Sequence, residues 1–273
     1  QKFSEPALAR LALVVGASEA LAEFLLRTPE AMNILELEPS LSQQFDSVAN
    51  PSWATKDATF SNAITELRRN YRKALLQIAI WDLSSSDPAE SVQAVAASLA
   101  KLAAAALDGG LTLARIQLLH NKSLGEYQQQ EIDATKLAII GMGKGGAGEL
   151  NYISDVDVIF VAEGAGLDTE RMLEIATKLA TRTMRIMDET NIEPGLWQVD
   201  ANLRPEGKAG ALVRTLDSHL AYYARWAENW EFQALIKANP IAGDIELGNK
   251  YRDSLQSLIW QSSKRESFVE SVQ

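Results

Sequence analysis

Gly141-Met142-Gly143-Lys144-Gly145-Gly146-Ala147-Gly148-Glu149-Leu150-Asn151-Tyr152-Ile153-Ser154-Asp155-Val156-Asp157-Val158-Ile159-Phe160 is the stretch whose reading decides the fold. It follows a short apolar run, Leu137-Ala138-Ile139-Ile140, and leads into a second, residues 156–161, rich in β-branched side chains. Both runs have the length and composition of buried strands. Between them, five glycines at 141, 143, 145, 146 and 148 leave the backbone bare, so that its N–H groups can approach a phosphate that side chains would otherwise hold off. The spacing is not that of a Walker A loop, because Lys144 is followed by Gly145 and not by Ser or Thr. Gly141, Gly143 and Gly146 match a Gly-x-Gly-x-x-Gly pattern, yet no acidic residue stands where a dinucleotide site needs one. On their own, these glycines are equally a tight turn.

The aspartates shift the balance. Asp155 and Asp157 lie two residues apart at the start of a strand, so their side chains leave the same face and their charges crowd. A polar strand edge or an N-cap would be the plain explanation of an isolated Asp-x-Asp. Directly after a glycine-rich turn, the pair reads instead as ligands of a hard divalent cation that also holds substrate phosphates. A third strand is expected over residues 196–203, where Trp197, Val199, Ala201 and Leu203 alternate with Gln198, Asp200, Asn202 and Arg204. Asp200 thereby offers a third carboxylate on a polar face, and a solvated aspartate is the plain alternative. Arg204, on the same face, is a candidate to neutralise phosphate charge or to form an ordinary salt bridge.

The run from Gly141 to Phe160, then Val199-Asp200-Ala201-Asn202-Leu203-Arg204-Pro205-Glu206-Gly207 and Trp230-Glu231-Phe232-Gln233-Ala234-Leu235-Ile236-Lys237-Ala238, resembles the glutamine synthetase adenylyltransferase family of the nucleotidyltransferase superfamily. The superfamily's usual Gly-Ser pair is absent, Ser154 standing just before Asp155 instead. The resemblance implies an α+β, predominantly helical fold: a helical flank over 1–134, a nucleotidyltransferase core with a small mixed sheet over 135–215, and a truncated helical region over 216–273. It also implies an enzyme. Asp155, Asp157 and Asp200 would be the catalytic, metal-holding carboxylates for Mg²⁺, two ions in number. Gly143, Lys144, Gly146 and Ser154, with Arg204, would contact nucleotide or phosphate. In that family one half attaches AMP to a tyrosine of glutamine synthetase, using ATP, and the other removes it with phosphate, giving ADP. The Pro205-Glu206-Gly207 sequence and the Ala-Leu-Ile-Lys-Ala ending look more like the amino-terminal, adenylyl-removing half. Glutamine synthetase is then the partner, with a small nitrogen-signalling protein acting through the full-length enzyme. Three alternatives stay open: ATP-dependent adenylylation, a nucleotidyltransferase acting on RNA or a small molecule, and a catalytically silent binding module.

Outside these motifs the sequence sets bounds. A net charge of −10 disfavours a nucleic-acid partner, whose binding needs clustered cations. No cysteine is present, so disulfides and thiolate sites are excluded. Gln93, Ser98 and Lys101 interrupt the apolar Ala- and Leu-rich stretch, so no membrane anchor is expected, and the start Gln1-Lys2-Phe3 resembles no signal peptide. A cytoplasmic fragment of a longer protein is the simplest expectation. Residues 6–37 read as two or three short helices, 39–59 as turns, and Ile64, Leu67, Tyr71, Leu75, Ile78 and Trp81 as one face of a helix whose Arg68, Arg69, Arg72 and Lys73 form a solvated face. Ser86-Asp87-Pro88 starts a long helix that Gly109-Gly110 is expected to break or kink. Residues 169–189 read as a helix, and the chain from Asp217 onward as helical, with Trp226 and Trp230 packed inside. His120 and His219, at expected helix ends, read as surface or dipole contacts and not as general bases.

Overall fold

A computed structural model describes residues 2–41, 44–51 and 60–262; parts of the expected turn region 39–59, and all of the polar run 264–273, lie outside these. In chain order the helices are α1 (Glu5–Ala17), α2 (Glu19–Arg27), α3 (Asp46–Ala49), α4 (Phe60–Leu83), α5 (Pro88–His120), α6 (Gln129–Ala134), α7 (Gly143–Ala147), α8 (Thr169–Asp188), α9 (Leu216–Arg225), α10 (Asn229–Leu235) and α11 (Ile245–Ser262). The strands are β1 (Thr135–Gly141), β2 (Val156–Gly164), β3 (Val199–Asp200), β4 (Val213–Thr215) and β5 (Asn239–Gly243). The fold is thus α+β and mainly helical, with one small mixed sheet, as the sequence led us to expect.

The sheet runs β3-β2-β1-β5, with β4 also on β2. β1 is antiparallel to both β2 and β5, whereas β3 and β4 run parallel to β2. β1 and β2 are continuous apolar runs because both faces are covered. Leu137, Ile139, Val158 and Phe160 join Leu107 and Leu111 of α5 and Ile175 and Leu179 of α8 in one core. Ala138, Ile140, Ile159 and Val161 face the other way, onto Tyr223, Phe232, Leu247 and Tyr251 of α9–α11. A third core packs Val14, Leu21, Phe24 and Leu35 against Leu76 and Ile80 of α4.

The expected start of α5 holds for the anticipated reason. The Asp87 carboxylate caps α5 by accepting from the N–H groups of Ala89 and Glu90, and Asp168 caps α8 in the same way. Other expectations need correction. Gly109 and Gly110 do not interrupt α5: a Cβ on Gly109 would stand 2.2 Å from the Val48 carbonyl oxygen, and one on Gly110 2.6 Å from Met187 Cε. The glycines are there to let neighbouring elements approach the helix. α5 is also long and apolar enough by composition to cross a membrane, contrary to the reading of its polar interruptions, but it serves as the central core helix against α4 and α8.

The expected third strand over 196–203 shrinks to Val199–Asp200, because the Asp200 carboxylate accepts from the Asn202 N–H at 2.7 Å and turns the chain out of the ladder. β5 lies inside the stretch expected to be purely helical. Arg68 is fully buried and not solvated: its guanidinium donates to the carbonyls of Ile186, Glu189 and Glu193 beyond and within the end of α8. His219 is buried as well, whereas Trp226 and Trp230, expected inside, are 74% and 46% exposed.

Candidate active site

The three strands that matter meet at one end of the sheet. β1 delivers the chain into the glycine-rich segment, and β2 begins where the following loop returns. In the parallel β2–β3 ladder, Asp157 stands directly opposite Asp200. Residue 157 shares the side-chain parity of Ile159 and Val161, so its carboxylate lies at the end of the α9–α11 face of the sheet. Asp155 precedes β2 and is exposed, and Ser154 beside it is half-buried.

The glycine-rich segment is not an open turn but the short helix α7. Met142 donates its N–H to the Asp157 carbonyl, which pins the start of the segment to the site. Gly143 adopts φ +50°, and a Cβ there would lie 3.3 Å from Asp157 Oδ2. Gly146 has no room for any side chain, since a Cβ would stand 2.1 Å from the Lys237 carbonyl oxygen and 2.3 Å from that of Gly141. Two of the five glycines are therefore needed for the segment to sit against β1 and the carboxylates. Lys144 is exposed, and its charge favours the ionised form of Asp157.

Electrostatically the carboxylates are opposed. Burial, then the charges of Asp200 and Asp155, raise the Asp157 pKa above the ordinary carboxylate value. One oxygen of Asp200 is engaged by the Asn202 N–H. Oxygen-only donors at the end of a sheet fit a hard divalent cation in kind, and a cation would offset both the burial and the like charges that raise the Asp157 pKa. Among the described residues, however, no three His, Cys, Asp or Glu side chains are already gathered closely enough to hold a metal. Asp157 and Asp200 stand opposite each other in the ladder, whereas Asp155, expected at the start of the strand on the same face, lies in the loop before β2, near enough for its charge to act on Asp157.

That loop is tied to the helical flank. Tyr152 donates its hydroxyl to Asp82 of α4 at 2.9 Å, while the neighbouring Ile153 is 93% exposed. Lys237, just after α10, pairs with Glu149 at 2.6 Å. Nothing in the sequence marks Asp82 and Tyr152 as partners, because residues 70 apart carry no joint local signal.

Arg204 is placed near Asp200 but is occupied. It donates to the carbonyls of Ala201, Lys208 and Gly210, and so shapes the loop that bulges from the sheet edge between β3 and β4. In that loop Glu206 and Gly207 both take positive φ, 64° and 56°, and Glu206 pairs with Arg214. Beside Asp200 lies an open groove of about 470 Å³ whose lining includes Gln198, Asn202, Arg204 and Lys208, with Arg185 and Asp188 from α8.

These motifs run through a match to known proteins. The family model for glutamate-ammonia ligase adenylyltransferase matches residues 8–254. The chain is 49% identical over 278 residues to the bifunctional glutamine synthetase adenylyltransferase/adenylyl-removing enzyme of Leifsonia xyli subsp. xyli, an alignment covering 97% of this chain and 27% of that protein. It is 44% identical to the protein of the same name from Streptomyces avermitilis, over 99% of this chain and 25% of the relative, and 41% identical to that of Corynebacterium glutamicum, over 93% and 23%. It thus spans about a quarter of the length of these relatives. Since the family match takes in the glycine-rich segment and all three aspartates, the chain belongs to the glutamate-ammonia ligase adenylyltransferase family.

Proposed function

We propose that this chain catalyses nucleotidyl transfer on glutamine synthetase, in the direction that removes AMP from an adenylylated tyrosine. The observation that carries the reading is the pairing of Asp157 with Asp200 across β2 and β3, beside a glycine-rich segment whose close approach only glycine permits. The names of the relatives support the class of reaction. The direction rests on the Pro205-Glu206-Gly207 loop and on residues 234–238, which resemble the adenylyl-removing half.

In this reaction an oxygen of inorganic phosphate attacks the phosphorus of the AMP–tyrosine diester. The new P–O bond gives ADP, the bond from phosphorus to the tyrosine oxygen breaks, and the phenolate takes up a proton. Asp155, Asp157 and Asp200 would hold Mg²⁺, which when bound supplies charge stabilisation for the phosphoryl oxygens. The glycine-rich segment, with Gly143, Lys144 and Gly146, would receive the phosphate groups, and Ser154 would support them from the loop. Arg204 acts by holding the 201–210 loop beside Asp200. A cytoplasmic setting follows from the substrate.

The test is to incubate the chain with adenylylated glutamine synthetase, Mg²⁺ and phosphate and to follow ADP, with ATP plus unmodified glutamine synthetase in parallel. ADP release supports the proposal. AMP incorporation would keep the site and reverse the direction. Asp157→Asn and Asp200→Asn should each lower the rate by at least about 100-fold, as expected for loss of a group acting on transition-state charge; an unchanged rate would remove the carboxylates from the mechanism.

A further inference from the structure

We propose that the groove beside Asp200 receives the tyrosine-bearing segment of the protein substrate, with Arg185 and Lys208 contacting acidic side chains of that segment. The proposal rests on the nucleotidyl-transfer reading and adds to it the surface that selects the protein partner.

The argument starts from the reaction geometry. Displacement at phosphorus places the entering and leaving oxygens on opposite sides of the reacting atom. Strand order supplies two such sides. The glycine-rich segment follows β1, Asp157 lies on β2, and Asp200 lies on β3, so Asp157 sits between the glycines and Asp200. The glycine side offers bare backbone to phosphate. The other side opens into the groove, and there the tyrosine oxygen belongs.

The groove fits a stretch of polypeptide better than a small molecule. It is open, with both polar and apolar surface in its lining, and five consecutive residues, Gln198 to Asn202, run along it. They belong to β3 and its flanks, and β3 is the terminal strand of the sheet order, where an extended segment can lie alongside the backbone. Charge gives the partner's chemistry. Three cationic residues, Arg185, Arg204 and Lys208, line the groove against two acidic ones, Asp188 and Asp200, on a chain whose net charge is −10. Arg204 is committed to loop carbonyls. Arg185 and Lys208 are exposed and make no ion pair among the described residues, whereas nearby Arg182 pairs with Glu189 and Arg214 with Glu206. Two uncommitted cations at the entrance to a carboxylate site suit acidic residues flanking the modified tyrosine, and cations placed this way act mainly on recognition.

The experiment measures the dissociation constant for adenylylated glutamine synthetase by biolayer interferometry at about 0.15 M salt. The double variant Arg185→Glu/Lys208→Glu should weaken binding by at least about tenfold, and Arg185→Ala/Lys208→Ala by a smaller factor. Lys178→Glu, the same change of charge on an exposed residue of α8 outside the groove, should leave binding within about twofold. Thermal unfolding of each variant checks the fold, and the alanine pair decides the matter should charge reversal prevent folding. Unchanged binding in the groove variants, an equal loss in Lys178→Glu, or no binding of glutamine synthetase by the wild-type chain would each overturn the proposal. The function reading fails separately, on the absence of ADP release and of AMP incorporation.

Discussion

Asp157 is held where burial and two like charges work against its ionised form. A carboxyl whose pKa is raised on folding adds stability that is fully present below its unfolded pKa of about 3.9 and is lost as pH rises through the folded value. At neutral pH the ionised group therefore costs stability, as the proposed cation site would require of a metal-free carboxylate cluster. Asp157→Asn should raise Tm by on the order of 1–3 °C at pH 7. Mg²⁺ should raise the wild-type Tm and leave that of the variant nearly unchanged. A differential scanning measurement that found the variant less stable, or equally stabilised by Mg²⁺, would contradict this account. His219 has the opposite sign. It is buried between Tyr223 and Tyr251, with ring centroids 6.1 and 5.2 Å away, and neither nitrogen reaches hydrogen-bond geometry with a protein partner, the Phe160 backbone giving only weak support to the protonated form. Burial lowers its pKa to about 4. The neutral ring is thus fully compatible with the fold above the unfolded pKa of roughly 6.5, and stability drains away as pH falls from there toward the folded value. The loss is about 1.4 kcal/mol per pH unit across that window. Urea unfolding of His219→Phe should lack this component, so the wild-type-minus-variant stability should fall between pH 6.5 and 4; a constant difference would show that the ring titrates normally.

At the scale of elements, α4 and α8 are joined by a single buried cation more than by matching helix faces. Arg68 satisfies three carbonyls around the α8 C-terminus, and Arg72 adds those of Pro194 and Gly195 and pairs with the buried Glu193 at 3.1 Å. Arg68→Ala would leave the carbonyls without donors in a dry interface. We expect a loss of about 3–5 kcal/mol by chemical denaturation, not restored by Arg68→Lys, whose ammonium cannot reproduce the planar fork. A loss below about 1 kcal/mol would mean that water reaches the carbonyls. Such a contact is invisible in sequence, because on a helical wheel Arg68 falls among other charges, and only the docking of a remote helix end makes it internal. The same reasoning explains which elements were legible. β1 and β2 announce themselves as apolar runs, α5 by its Asp-Pro start and α8 by its helical periodicity. β5 does not, since Asn239-Pro240-Ile241-Ala242-Gly243 carries a proline and a glycine; it is tolerated as a strand because it lies at the sheet edge, where the ladder shifts register between Ile139 and Ile140. At the site, the Asp155–Asp157 spacing is legible but the shared strand face read from it is not found, because Asp155 falls in the loop before β2; the opposition of Asp157 and Asp200 is a matter of register between strands some 40 residues apart in the chain, which local pattern cannot fix.

For the whole molecule, three packed cores imply unequal resistance to opening. β1 and β2 are covered on both faces, by α5 and α8 on one side and by α9–α11 on the other, so their amides are freed only when both cores come apart. The N-terminal core is different: α1, α2 and the turn after them meet the rest chiefly through α4, at Leu76, Ala79 and Ile80, with Arg27 adding a pair to Glu193 at 3.5 Å. Lifting α1 and α2 away exposes that one helix face and leaves the sheet intact. Between this module and the 149–155 loop lies an apolar cavity of about 310 Å³, lined by Leu21, Leu75, Ala79, Leu83, Tyr152 and Ile153 among others. The loop that carries Asp155 is instead held by the Tyr152–Asp82 hydrogen bond to α4, the helix that stays in place when α1 and α2 lift. Hydrogen exchange followed by mass spectrometry should show β1 and β2 exchanging only through global unfolding, with α1 and α2 exchanging earlier through a partial opening of lower free energy. Tyr152→Phe should quicken exchange in the 149–155 loop and leave β1 unaffected. Equal protection of α1–α2 and β1 would instead make the molecule a single cooperative unit, in which the helical flank could not move without unfolding the site.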